Sequence, residues 1–160
     1  MKAGRILVVD DEESTRLTLD ECFTSIGYEV VIANNGEDAL QKFAPGKFDC
    51  VISDLMMPSI DGIELLKRIR IEDSDVYFIM VTGFPGIDSA VNAMKEGAYD
   101  YLTKPFHMED IQLKVEKAIR MKRTEASLKK IKSLFLTLII LIPILVSFGI
   151  IFGIIWSGLK

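Results

Sequence analysis

The sequence is poor in the residues that build sites from nitrogen and sulfur. Its 160 residues include one histidine, His107, and two cysteines, Cys22 and Cys50. A single histidine with two distant cysteines cannot supply the closely spaced His and Cys ligands of a zinc site. The cysteines lie among apolar residues and are expected as small buried core residues of a reducing compartment, without a disulfide. Positive charge is also scarce over most of the chain, since residues 1–112 hold 10 Lys and Arg against 21 Asp and Glu. Nucleic-acid binding needs a positive surface that displaces counterions from phosphates, so it is not expected of this part. No secretory leader is expected either, because the opening MKAGRILVVDDEE turns acidic too soon.

What is present is unevenly spread. Mean hydropathy is +0.29 with 49% hydrophobic residues, high for a chain of net charge −4. The excess sits in an uncharged apolar run from Leu134 to Leu159, preceded by a stretch, 113–133, with 8 Lys and Arg against 2 Asp and Glu. The chain is therefore expected in three parts: a domain over 1–122, a basic and helical connector over 123–133, and a transmembrane helix over 134–159. About 20 apolar residues cross a hydrocarbon core of ~30 Å, and Pro143 within such a helix predicts a kink. Lys122, Arg123, Lys129, Lys130 and Lys132 precede the run and only Lys160 follows it. That asymmetry keeps the first domain cytoplasmic and holds the connector against anionic lipid. Gly149, Gly153 and Ser157 recur every fourth residue, a small-residue stripe by which two tail helices could pair into a homodimer.

Within the first domain, short aliphatic runs alternate with helical spacing. RILVV (5–9), EVVIA (29–33), DCVIS (49–53), VYFIMV (76–81) and AYDYL (98–102) read as strands covered on both faces. Leu19, Cys22, Phe23 and Ile26 carry a helical stripe, as do Gly62, Leu65, Leu66 and Ile69, and again Ile111, Val115, Ala118 and Ile119. Weaker helical stretches fall at about 37–43 and 88–96, and the last helix starts near Met108. Five strands alternating with five helices predict a doubly wound parallel α/β sheet.

In such a sheet ligands gather at the carboxyl ends of the strands. Here those ends carry Asp10 and Asp11 after the first strand, Asp54 after the third, Thr82 after the fourth and Lys104 after the fifth. Three carboxylates brought together need a cation between them, and a hard divalent ion such as Mg2+ suits oxygen ligands with room left for water and a phosphoryl oxygen. Asp54 is then a candidate nucleophile towards phosphorus, with Lys104 neutralising charge and Thr82 offering its hydroxyl to a phosphoryl oxygen. Asp61 and Gly62 read as helix-start chemistry, and His107 as an exposed residue at a helix start.

At these residues the chain resembles the receiver domain of bacterial two-component response regulators, over roughly residues 4–122. The resemblance rests on ILVVDDE, on DLMMPSIDG with its D-x-x-M-P-x-x-D-G pattern, on MVTG, and on AYDYLTKPF. It implies a flavodoxin-like sheet of strand order 2-1-3-4-5. It also implies phosphorylation of Asp54 by a sensor histidine kinase or a phosphotransfer protein, with Mg2+ held by Asp10, Asp11, Asp54 and the main-chain carbonyl of Met56. Lys104 would contact the phosphoryl group, with a cis bond to Pro105. Thr82 and Tyr101 would form the switch pair, converting binding at the strand ends into a change on the face of the fourth and fifth helices and the fifth strand. Met56 and Phe84 would flank the entrance, and their apolar bulk predicts slow self-dephosphorylation.

Together these features describe a single-domain response regulator anchored in the bacterial inner membrane, single-pass, without an enzymatic or DNA-binding output, acting through a protein near the inner membrane surface. Two alternatives stand beside it. A phosphohydrolase working through an aspartyl-phosphate would want an acid two residues after the nucleophile, where Met56 stands. A receiver serving as a phosphorylation-independent interaction module would not need the full set of site residues.

Overall fold

In a computed structural model the described residues are 4–158, with side chains described over 4–143. The chain divides into two compact units, 1–122 and 123–160. In the first, five strands alternate with helices: β1 (Arg5–Val9), α1 (Glu13–Ser25), β2 (Glu29–Ala33), α2 (Gly36–Lys42), β3 (Cys50–Asp54), α3 (Gly62–Glu72), β4 (Tyr77–Thr82), α4 (Ile87–Lys95) and β5 (Asp100–Thr103), followed by the start of α5 (Met108–Gly158). All pairings are parallel, in the order β2-β1-β3-β4-β5. Parallel neighbours cannot be joined by a tight hairpin, and the helices supply the crossovers.

The central strands β1, β3 and β4 are buried along nearly their whole length, which is why they read as unbroken apolar runs. Their side chains feed two cores, one on each face. Leu7, Val51, Phe78 and Met80 meet Leu65, Leu66 and Ile69 of α3, while Ile6, Val8, Ile52 and Ile79 meet Leu19 and Phe23 of α1 and Ile111, Val115 and Ile119 of α5. The stripe expected on α1 holds for Leu19 and Phe23 but not beyond. The helix ends at Ser25, Ile26 is exposed, and Gly27 turns the chain at φ 93°. Cys50 is buried, but Cys22 is only half-buried and its sulfur lies 2.9 Å from Nε2 of Gln112. The last strand starts two residues later than the apolar pattern suggests, because Ala98 still donates its N–H to Ala93 of α4.

The second unit, 123–160, is helical through Gly158, with Pro143 inside the helix. Among the described residues no helix is long and apolar enough to cross a membrane. The expected crossing segment, 134–159, lies outside the described side chains from residue 144 onward, and so do Gly149, Gly153 and Ser157.

Candidate functional site

Register brings the polar strand ends into one row. Val9 pairs with Ser53, Asp54 with Val81, and Thr82 with Thr103, so Asp10, Asp54, Thr82 and Lys104 follow one another along the carboxyl edge. Backbone bonds continue the ladders past the strand ends and fix the site residues: Asp10 N–H donates to Ala33 O at 3.2 Å, Leu55 N–H to Val81 O at 2.8 Å, and Lys104 N–H to Thr82 O at 2.7 Å. The site is thus built on sheet ends that cannot slide without breaking paired backbone groups.

The helix that follows Asp54 must start very close to it. Asp61 caps α3, its carboxylate accepting the Glu64 N–H at 2.8 Å, and Gly62 N–H donates to Leu55 O at 2.9 Å. A side chain on Gly62 would collide with the Asp54 carbonyl oxygen and come within 2.7 Å of the Met80 sulfur. Glycine at this position lets the helix seat against the strand end that carries the acid. The loop between them passes through Ser59 in the left-handed region, φ 67°.

Lys104 joins two of the acids, its ammonium donating to Asp10 Oδ2 at 2.6 Å and to Asp54 Oδ2 at 2.9 Å. Asp10, Asp11 and Asp54 offer carboxylate oxygens that all lie within 4.8 Å of one another, Asp10 and Asp54 buried and Asp11 exposed. Three carboxylates and one ammonium leave two negative charges in the cluster. Burial pushes the Asp10 carboxyl above the usual carboxylate range despite the hydrogen bonds from Lys104 and from the Glu12 N–H. Burial also works against the charge on Lys104, but its bonds to Asp10 and Asp54 hold its pKa above that of an ordinary lysine. The excess negative charge and the all-oxygen donor set fit a hard divalent cation, Mg2+ among them.

The other expected residues surround this cluster. Thr82 is fully buried and its Oγ1 accepts the Phe84 N–H at 3.1 Å. The Lys104–Pro105 peptide is cis. Met56 N–H donates to Asp54 Oδ1 at 3.3 Å, and its side chain is 58% exposed. Phe84 is 76% exposed. Tyr101 is half-buried, packed against the α3 core, with its hydroxyl 3.0 Å from Ser89 Oγ. His107 is exposed just ahead of α5, and its carbonyl accepts the Asp110 N–H. The sequence gives no cue for two contacts at the site. Arg16 Nη1 donates to the Asp10 carbonyl at 2.6 Å, and the Glu12 side chain accepts from Ser14 and Thr15.

Residues 6–116 match the family of the response regulator receiver domain. The chain belongs to this family. It is 36% identical over 126 residues to the Regulatory protein AtoC of Escherichia coli K12, covering 79% of this chain and 27% of that protein. It is 38% identical over 117 residues to the Transcriptional regulatory protein FixJ of Bradyrhizobium diazoefficiens, covering 73% of this chain and 57% of that one. The receiver domain thus spans from about a quarter to just over half the length of these curated relatives. Among solved structures, a response regulator receiver domain protein from Clostridium thermocellum superposes with a TM-score of 0.71 at 32% identity, over 76% of this chain and 98% of that one. Receiver domains are phosphoacceptor signalling domains that take a phosphoryl group on an aspartate, bind Mg2+ through an acidic cluster and interact with histidine kinases or phosphotransfer proteins.

Proposed function

We propose that Asp54 is the phosphoacceptor of this receiver domain and that phosphorylation there changes which proteins the domain binds. The observation that carries the reading is the position of Asp54 at the end of the central strand, between Asp10 and Asp11 on one side and Lys104 on the other. In strand order it stands between the acids of β1, which would hold the cation, and Lys104 after β5, so a phosphoryl group on it would have a positive charge within reach on either side. Its Oδ attacks phosphorus as the bond to the donor nitrogen or oxygen breaks, and Lys104, already 2.9 Å away, holds a phosphoryl oxygen. Mg2+, held by Asp10, Asp11, Asp54 and the Met56 carbonyl, would offset the charge that the carboxylates and the phosphoryl group accumulate. A groove of about 290 Å3 lined by Ser14, Thr15, Thr18, Lys104, Pro105, Phe106 and Met108 lies beside the cluster and offers a surface on which a kinase or phosphotransfer protein docks.

Thr82 then turns its hydroxyl to the phosphoryl group and Tyr101 follows, altering the face of α4, β5 and α5. Met56 and Phe84 stand at the rim as exposed apolar side chains that neither bind nor orient a water, which favours a long-lived phosphorylated form. The phosphorylated protein is measured directly with a labelled small phosphodonor and Mg2+. Incorporation in the wild type and none in Asp54→Ala supports the reading, and equal incorporation in both contradicts it.

Residues 134–159 cross the bacterial inner membrane once, with the receiver domain on the cytoplasmic side and its downstream protein partner near that surface. The uncharged apolar run and the basic residues ahead of it support this. Recovery of the full chain in alkali-washed membranes tests it, and loss to the soluble fraction contradicts it.

A further inference from the structure

We propose that Ser89 is a positioning residue for Tyr101, a relay between the Thr82 hydroxyl and the face of α4 and β5. The inference rests on the receiver reading above. Ser89 sits in the first turn of α4, and its hydroxyl donates to the Gly86 carbonyl at 2.8 Å. The same oxygen lies 3.0 Å from Tyr101 Oη. A serine hydroxyl has one hydrogen, and here it is committed to Gly86. The Tyr101 phenol is therefore the donor, and Ser89 the acceptor that fixes where the ring stands.

The other end of the same short loop is tied to the site. Phe84 N–H donates to Thr82 Oγ1 at 3.1 Å, so the segment Phe84–Pro85–Gly86 is held by Thr82 at its start and by Ser89 at its finish. Pro85 between them has its φ locked by the ring, and it restricts Phe84 as well. Gly86 is the one free joint, and its carbonyl is held by the Ser89 hydroxyl and by the Ala90 N–H at 3.0 Å, so a displacement of Phe84 bears on these bonds. The contact at Gly86 is also close, since a Cβ added there would lie 3.2 Å from Ser89 Oγ. When the Thr82 hydroxyl turns towards Asp54 it releases the Phe84 N–H, and the shift reaches Gly86 O two residues later. The Ser89 hydroxyl then loses its fixed orientation, and with it the hold on Tyr101.

The test uses the full chain labelled with 3-fluorotyrosine, the Tyr101 resonance being assigned through Tyr101→Phe. Ser89→Ala is expected to move that resonance without any phosphodonor. It should also speed phosphorylation of Asp54 by acetyl phosphate about three- to tenfold, the size of one hydrogen bond lost from the resting arrangement. Ser89→Thr, which keeps the hydroxyl, should behave as the wild type. In a Tyr101→Phe background Ser89→Ala should change the rate no further, an outcome that a merely structural serine would not give. An unmoved Tyr101 resonance in Ser89→Ala overturns the proposal, as does an equal rate change with and without the Tyr101 hydroxyl. Because the resonance is read without phosphorylation, it decides the role of Ser89 even where Asp54 takes up no phosphoryl group, a result that would sink the receiver reading instead.

Discussion

The two edges of the sheet carry similar residues and use them differently. At the amino edge, charges are matched. Arg5 Nε lies 2.9 Å from Glu29, and its guanidinium stacks 4.9 Å over the Phe48 ring. Asp49 takes the Arg5 N–H at 2.9 Å and lies 3.5 Å from Lys122, whose ammonium donates to the Phe48 carbonyl at 2.6 Å. At the carboxyl edge three carboxylates gather where one ammonium bonds only two of them, Asp10 and Asp54. Matched charges close an edge and satisfy buried backbone groups, whereas an unmatched cluster keeps an unmet demand for positive charge. Chemistry collects at the second kind of edge.

The contrast predicts opposite responses to neutral substitutions. Asp10→Asn should lower Mg2+ affinity by at least about tenfold while leaving folding stability unchanged or raised, because a buried charge is removed along with a metal ligand. Isothermal titration with Mg2+ and urea unfolding of the same protein check both halves. Gly62→Val should cost about 1–3 kcal/mol in urea unfolding, since the new side chain presses on the Asp54 carbonyl and Met80. It should also slow phosphorylation by displacing the acid. At the amino edge, Lys122→Ala should cost about 1–2 kcal/mol by leaving the Phe48 carbonyl without its donor, with the phosphorylation rate unchanged.

Substitutions at the rim act on the lifetime of the phosphorylated form. Met56→Asn and Phe84→Glu should shorten the phosphorylated lifetime several-fold by giving a water something to bind. A lifetime that stays constant in both, followed by loss of label, counts against the rim reading.

The smallest effect concerns acid. Burial raises the Asp38 carboxyl, but the bonds from Lys42 and the Asn34 N–H outweigh it and hold the group below its ordinary range. Burial likewise raises Asp73, and the N–H groups of Gly46 and Asp75 outweigh it. A depressed folded pKa contributes stability above the unfolded value of about 4, and that contribution is lost as pH falls through the folded one. Unfolding curves recorded from neutral pH into acid should therefore show Asp38→Asn and Asp73→Asn less stable than the wild type at neutral pH, with the gap closing below about pH 4.

Much of the carboxyl edge was legible in the sequence because Asp10, Asp54 and Thr82 close or directly follow the buried apolar runs of β1, β3 and β4, whereas Lys104 follows the half-buried β5. The core stripes of α3 and α5 were legible as well, as Leu65, Leu66, Ile69, Ile111, Val115 and Ile119 all reach the core. Ile26 misled because a helical spacing continues in the sequence past the turn that Gly27 imposes. The start of β5 was less legible, since Ala98 still donates its N–H to Ala93 of α4 while Tyr99 already donates to the Phe78 carbonyl of β4, one residue before the strand begins. The bridge from Lys104 to both Asp10 and Asp54 depends on four strands in register, β1, β3, β4 and β5, which no local pattern encodes. Ser89 was illegible for a related reason. Nothing in a helical serine signals that its hydroxyl meets a tyrosine twelve residues away.

The measurement that tests the central claim most directly is reductive trapping of the aspartyl phosphate. The full chain is treated with Mg2+ and acetyl phosphate, reduced with borohydride and mapped by peptide mass spectrometry. Conversion confined to Asp54 is the predicted result. Conversion at Asp10 or Asp11 with Asp54 untouched, or no conversion at any of the three, would contradict the account.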